Sequence, residues 1–202
     1  MKTIVLTGQG DIAKKIADNL DKKKYKIYNP SKIELDVTEY DSVVNYFSTI
    51  DNVDVVVNLA GTLYSSSIIE SDVKSWIKDI EVNLIGTYLV CRENIIKNTK
   101  VNIINISSTA AYNSYFDWSS YCASKSGVIK ISNALYLDGY KVVTLCPGAI
   151  ETKLRNGLNI NNPNVMSIEE GVEPIIKAIE GGYSNGDIVL YRKNEFKVFR
   201  EV

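Results

Sequence analysis

The chain has 202 residues, 45% of them hydrophobic, a formal net charge of −1 and no histidine. Charge so close to zero gives no electrostatic case for nucleic acid or an anionic membrane, and no apolar run reaches the length of a bilayer span. Without histidine, His-based triads, haem ligation through His and most zinc sites are excluded, so acid–base work near neutral pH falls to Tyr, Lys, Cys or a carboxylate and no metal is needed.

The length fits one domain over residues 1–202. Cys91, Cys122 and Cys146 are odd in number and scattered. They read as reduced thiols in a cytoplasmic protein, with Cys122 and Cys146 as small buried fillers. The start enters a glycine turn too soon for a secretory signal.

In chain order, residues 2–7 are a short β-branched run that stops at Gly8, followed by helical spacing over 11–22 through Ile12, Ile16 and Leu20. Residues 25–29 make a second strand. Residues 33–36 are either a short strand stub reached by a loop or no strand, because four residues cannot supply a parallel crossover. Residues 53–59, 101–107 and 140–146 are nearly continuous apolar runs, as in strands covered on both faces. Helices are expected near 39–49, 71–81, 82–98, 119–137 and 168–181, with a last strand at 186–191. The longest irregular stretch, 150–167, follows a strand end, where open parallel sheets carry ligand loops. Strand alternating with helix predicts a doubly wound parallel sheet, a three-layer α/β/α Rossmann-like fold.

The turn Thr7-Gly8-Gln9-Gly10-Asp11-Ile12-Ala13 lies between a strand and a helix and fits the G-x-G-x-x-A dinucleotide fingerprint. Gly8 permits the tight turn, Gly10 lets backbone approach a pyrophosphate, and Ala13 lets the helix pack closely. The helix start offers free N–H groups to phosphate. A carboxylate at Asp11 opposes this unless it points away, and Asp11 also reads as an N-cap.

Tyr121 and Lys125 stand four apart, on one helix face, with Ser108 thirteen residues upstream of Tyr121. A nearby ammonium favours the phenolate and lowers a tyrosine pKa, which prepares the phenol to exchange a proton. Ser108, with Ser107 as its rival, is placed to hold a carbonyl or alcohol oxygen. A second Tyr–Lys pair at this spacing, Tyr28 with Lys32, has no such surroundings. Tyr112, Tyr115, Phe116 and Trp118 wall a substrate pocket, serve packing or make a subunit contact.

Taken together, these blocks resemble the short-chain dehydrogenase/reductase family, in order over nearly the whole chain. Thr7-Gly8 resembles the start of its glycine motif, Asp36-Val37 its adenine-contacting pair and Asn58-Leu59-Ala60-Gly61 its Asn-Asn-Ala-Gly turn. Asn83 resembles its active-site Asn, and Cys146-Pro147-Gly148 with Thr152 resembles its nicotinamide-holding segment. On local sequence alone, Asp36 also reads as a helix start and Thr152 as a cap. The resemblance implies a catalytic set of Asn83, Ser108, Tyr121 and Lys125. It implies a cofactor site of Gly8, Gln9, Gly10, Asp11, Ile12, Asn29, Ser31, Asp36, Val37, Asn58, Ala60, Gly61, Tyr121, Lys125, Pro147, Gly148, Ile150 and Thr152. The glycine turn is one residue shorter than usual, the helix after the second strand is absent, and the lid after Pro147-Gly148 is brief.

The implied activity is NAD(P)-dependent hydride transfer between nicotinamide and a carbonyl or alcohol, with Tyr121 as general acid and base. NADP is preferred over NAD because Asn29, Pro30, Ser31 and Lys32 place no carboxylate at the end of the second strand. The resemblance implies a homodimer or homotetramer through 82–98 and 119–137. Two rivals remain at this level: a non-catalytic dinucleotide-binding regulator, and a sugar-nucleotide reductase or epimerase-like enzyme.

Overall fold

The computed structural model describes residues 1–156, 158 and 162–201, so part of the irregular stretch expected over 150–167 lies outside the described residues. Strands β1 (Lys2–Leu6), β2 (Tyr25–Tyr28), β3 (Val55–Asn58), β4 (Asn102–Ile106), β5 (Lys141–Pro147) and β6 (Ile188–Arg192) run parallel. β7 (Glu195–Phe199) returns antiparallel along β6. The sheet order is β2-β1-β3-β4-β5-β6-β7. The chain therefore reverses direction across the sheet between β1 and β3, which opens a crevice at the carboxyl ends of those two strands.

The apolar strands follow from cover on both faces. Ile4 and Leu6 pack with Val55, Val57 and Ile104 against Ala13 and Ile16 of α1 (Asp11–Asn19) and Val172 and Ile175 of α7 (Ile168–Ile179). The intervening Val5, Val56 and Ile103 point the other way. They meet Val43 and Phe47 of α2 (Tyr40–Ser48), and Val90 and Ile95 of α4 (Gly86–Lys97). This two-residue alternation puts each strand's side chains into two separate cores.

Three elements differ from expectation. Residues 33–36 form no strand; Glu34 and Leu35 donate back to the Ser31 carbonyl, so a turn replaces the crossover helix. The helix expected over 82–98 begins instead with a π-helical turn, Glu81–Ile85, that joins α3 (Val73–Ile80) to α4. β7 was not foreseen, although Glu195-Phe-Lys-Val-Phe alternates with period two. Asn194, at φ 68°, turns the chain into it.

Candidate active site

The glycine turn closes directly on β1. Gly8 adopts φ +84°, a left-handed backbone that a side chain would strain, and a Cβ there would touch the Ala60 backbone at 3.4 Å. The Thr7 hydroxyl accepts from the N–H groups of Leu59 and Ala60 at 2.9 and 3.0 Å, which locks this turn to the loop after β3. A Cβ built on Gly10 would meet nothing within 4 Å, so the space over the start of α1 is open. Asp11 turns away and accepts the Lys153 N–H at 2.7 Å, at the start of α6 (Lys153–Asn156). These observations fit a pyrophosphate at the α1 N-terminus, with the Asp11 carboxylate turned toward α6.

The chemistry-bearing residues converge above β4 on α5 (Ser119–Leu137). The Lys125 ammonium is 6% exposed, donates to the Ile106 carbonyl at 3.0 Å and lies 5.6 Å from the centre of the Tyr121 ring. Ser108 follows β4. Its hydroxyl accepts from the Ala110 N–H, donates to the Pro147 carbonyl and lies beside the Tyr121 phenol. Ser107 is spent otherwise, donating to the Lys125 carbonyl at 2.7 Å. Ser108 is thus the serine beside the phenol.

Asn83 lies at the middle of the π-helical turn, fully buried. It clasps Thr62 in both directions: its carbonyl oxygen accepts the Thr62 N–H and its amide donates to the Thr62 carbonyl, each at 2.9 Å. The amide also lies 3.3 Å from the Ser124 hydroxyl on α5. A Cβ on Gly61 would stand 3.2 Å from the Asn83 side chain and 3.9 Å from Lys125 Nζ, so a side chain there would crowd the Asn83 amide oxygen.

The electrostatics differ from expectation. The Tyr121 pKa is pushed up to about 12, first by burial, with Asp79 and Cys122 adding to it and the Ser108 hydrogen bond opposing. Lys125 is pressed down to about 8 by burial, against the pull of Asp79 and Cys146. The lysine stands over the ring and is itself shifted toward its neutral form. In the cofactor-free protein it therefore does not bring the phenol toward neutral pH.

Other sequence-derived residues divide into two groups. Pro147 and Gly148 sit beside Ser108, and the Gly148 N–H is tied to the Tyr191 carbonyl at 2.7 Å. Val37 packs against Gly86 at the start of α4, and Asp36 holds the N–H and hydroxyl of Thr38. Thr152 precedes α6 and accepts the Arg155 N–H at its carbonyl. Gln9 reaches the Asn29 carbonyl at 3.0 Å, and the Asn29 amide donates to the carbonyls of Leu6 and Gly8, so Asn29 braces the turn. Ile12 packs against the core on the α1 and α7 face.

Two expected cofactor residues face inward instead. The Asn58 amide donates to Asn105 at 2.8 Å and to Cys91, bridging β3 to β4 inside the protein. Ile150 is buried under Gly171 and pairs with Met166. Cys122 is only half-buried, unlike Cys146.

Three contributors were missed. Glu34 accepts both the N–H and the hydroxyl of Ser31, at 2.7 and 2.8 Å. Thr62 braces Asn83. Asp79 is buried between the Thr62 loop and the start of α5; the usable signal was a carboxylate three residues after Trp76 on a helix that meets α5.

Sheet order, the glycine turn at the reversal and the Ser–Tyr–Lys cluster over β4 define the class: a doubly wound α/β fold of the dinucleotide-binding kind. The chain belongs to the short-chain dehydrogenase family, whose model matches residues 1–163. It is 38% identical to an uncharacterized oxidoreductase of Thermotoga maritima over 131 residues, which make up 59% of this chain and 51% of that protein. The chain thus matches about half the length of that relative. Among solved structures, a small-chain dehydrogenase in complex with NADPH superposes with TM-score 0.84 at 16% identity, covering 95% of this chain and 97% of the other. A 4-hydroxyisoleucine dehydrogenase complexed with NADH gives 0.82 at 19%, covering 95% and 96%.

Proposed function

We propose that this chain is an NAD(P)-dependent oxidoreductase interconverting a small carbonyl compound and its alcohol, organised as one cofactor-binding domain over 1–202 in the cytoplasm. The observation that carries the reading is the Tyr121 phenol, set beside Ser108 and flanked by the buried Lys125, next to the Gly61 loop and the open glycine turn. The nicotinamide, when bound, supplies or accepts the hydride. Gly8, Gly10 and the α1 N-terminus would hold its pyrophosphate, and Gly61, Pro147, Gly148 and Thr152 line the rest of the crevice.

In reduction, the Tyr121 phenol gives its proton to the carbonyl oxygen as charge develops there, and Ser108 donates a hydrogen bond to the same oxygen. A phenol with its pKa near 12 is protonated at neutral pH and is ready as an acid. In oxidation the phenolate accepts the proton of the alcohol hydroxyl, and Lys125 as an ammonium favours that phenolate. Asn83, braced by Thr62, holds the π-helical turn beside Lys125 and completes the proton path to solvent.

NADP is the proposed preference, since no carboxylate stands at the end of β2 itself. Lys32, paired with Asp36 at 3.5 Å, favours a 2′-phosphate, and Glu34, bonded to Ser31, limits that preference. Pairing into a homodimer or homotetramer is proposed through α4, the π-helical turn before it and α5, where Ile85, Tyr88, Ile96 and Leu137 leave apolar surface exposed.

Tyr121→Phe tests the reading. Turnover on a panel of carbonyls is expected to fall about 10²- to 10⁴-fold with NAD(P)H binding retained. Wild-type turnover in that variant would remove the phenol from the mechanism.

A further inference from the structure

The Asp79 carboxylate, on α3, is 1% exposed. It accepts three hydrogen bonds: from the Thr62 hydroxyl at 2.6 Å, the Tyr64 N–H at 2.9 Å and the Ser120 hydroxyl at 2.9 Å. Each donor belongs to a part of the site. Thr62 is the residue that clasps Asn83, and Ser120 immediately precedes Tyr121 in the first turn of α5. One turn earlier on α3, the Trp76 indole donates to the Ser119 hydroxyl at 2.9 Å, so two side chains of this helix face hold the start of α5. A buried carboxylate with every contact made to this pair of segments is a costly choice for plain packing, where an apolar side chain serves as well.

We propose that Asp79 is a positioning residue for the catalytic set, its buried carboxylate tying the Thr62 loop, which holds Asn83, to the first turn of the helix that carries Tyr121 and Lys125. The proposal rests on the Tyr–Lys reading above and adds a second, electrostatic consequence. Lys125 is faced by Asp79 from α3, by Cys146 from β5 and by the Tyr121 ring from its own helix. Tyr121 is faced by Asp79, by Ser108 after β4, and by Cys122 and Lys125 on α5. Asp79 is the carboxylate common to both sets. Its charge opposes the loss of the Lys125 proton that burial promotes, and so keeps an ammonium beside the phenol near neutral pH.

Asp79→Asn removes the charge and can keep all three contacts: its oxygen accepts from Tyr64 and Ser120 while its amide donates to the Thr62 hydroxyl. Lysine Cε-labelled NMR on the cofactor-free protein, with the Lys125 signal assigned by Lys125→Met, reads the ammonium directly. The Lys125 midpoint is expected to move down from about 8 by about half a pH unit or more in Asp79→Asn. In Ser120→Ala and Thr62→Val, which loosen the ties and leave the charge, the midpoint should stay and kcat should fall about two- to tenfold with KM for the nicotinamide nucleotide kept. These two variants keep the positioning role testable if Asp79→Asn does not fold. An unmoved midpoint in Asp79→Asn, or wild-type kcat in both tie variants, overturns the proposal. If Tyr121→Phe kept full turnover the Tyr–Lys reading would fall instead, and the midpoint measurement would be untouched by that failure.

Discussion

Lys125 holds its ammonium 3.0 Å from one backbone carbonyl in a site that excludes most water, and burial brings its pKa from 10.5 to about 8. A group whose pKa is lower folded than unfolded costs stability wherever its charged form dominates in the free chain. The cost is absent above about pH 10.5, grows as the pH falls and is complete below about 8. Lys125→Met should therefore stabilise the protein at pH 7 by up to about 3 kcal/mol while abolishing turnover. Chemical denaturation from pH 6 to 10.5 should show the gain fading across the upper half of that range. At the turn after β2, Glu34→Gln should raise kcat/KM for NADP relative to NAD by about three- to tenfold, measured by steady-state kinetics with each nucleotide, because a carboxylate beside Ser31 repels a 2′-phosphate. Residue identities at this scale were legible wherever a motif carried them: Tyr121, Lys125, Ser108 and Asn83 meet around one point. The sign of the Tyr121 shift was not legible, because spacing reports the ammonium while burial and Asp79 arise only on folding.

The elements that position these residues depend on close contacts between segments far apart in the chain. Gly86 opens α4 against Val37, and a Cβ there would lie 2.7 Å from Val37 Cγ2 and 3.2 Å from its carbonyl oxygen. Val37 is β-branched and buried, so neither side can yield cheaply. Gly86→Ala should lower stability by about 1–3 kcal/mol, read as a downward shift of the urea midpoint, and should weaken nucleotide binding by displacing Asp36 and Val37. Periodicity found the inner parallel strands because they are apolar on both faces, whereas the edge strand β2 shows an exposed Lys26 between Tyr25 and Ile27. It missed the π-helical turn, since Glu81-Val-Asn-Leu-Ile carries no distinct pattern and the extra residue is accommodated through contacts to Thr62 and Ser124. It also misleads on α3, where Val73 and Ile77 are exposed while Asp79 is buried. There the hydrogen-bond donors of Thr62, Tyr64 and Ser120 decide which face turns inward.

Across the whole molecule, the sheet reversal between β1 and β3 brings the glycine turn beside the Gly61 loop, and β4 and β5 deliver Ser108, Pro147 and Gly148 to the same edge. The shortened connection after β2 leaves that strand at one edge of the sheet, and β7, returning antiparallel from β6, forms the other. Strand and helix alternation was sufficient for this architecture; the hairpin is hidden because β7 is short and mostly exposed and pairs with β6 alone. On the proposed reading the site joins two functions in one crevice, nucleotide grip at β1 and proton exchange on α5. Single-turnover reduction of a carbonyl by Tyr121→Phe, with NAD(P)H saturating and its binding measured in parallel by fluorescence, tests that union most directly. The account predicts unchanged nucleotide affinity with the hydride-transfer rate down at least about a hundredfold. A rate equal to wild type at the same occupancy would contradict it.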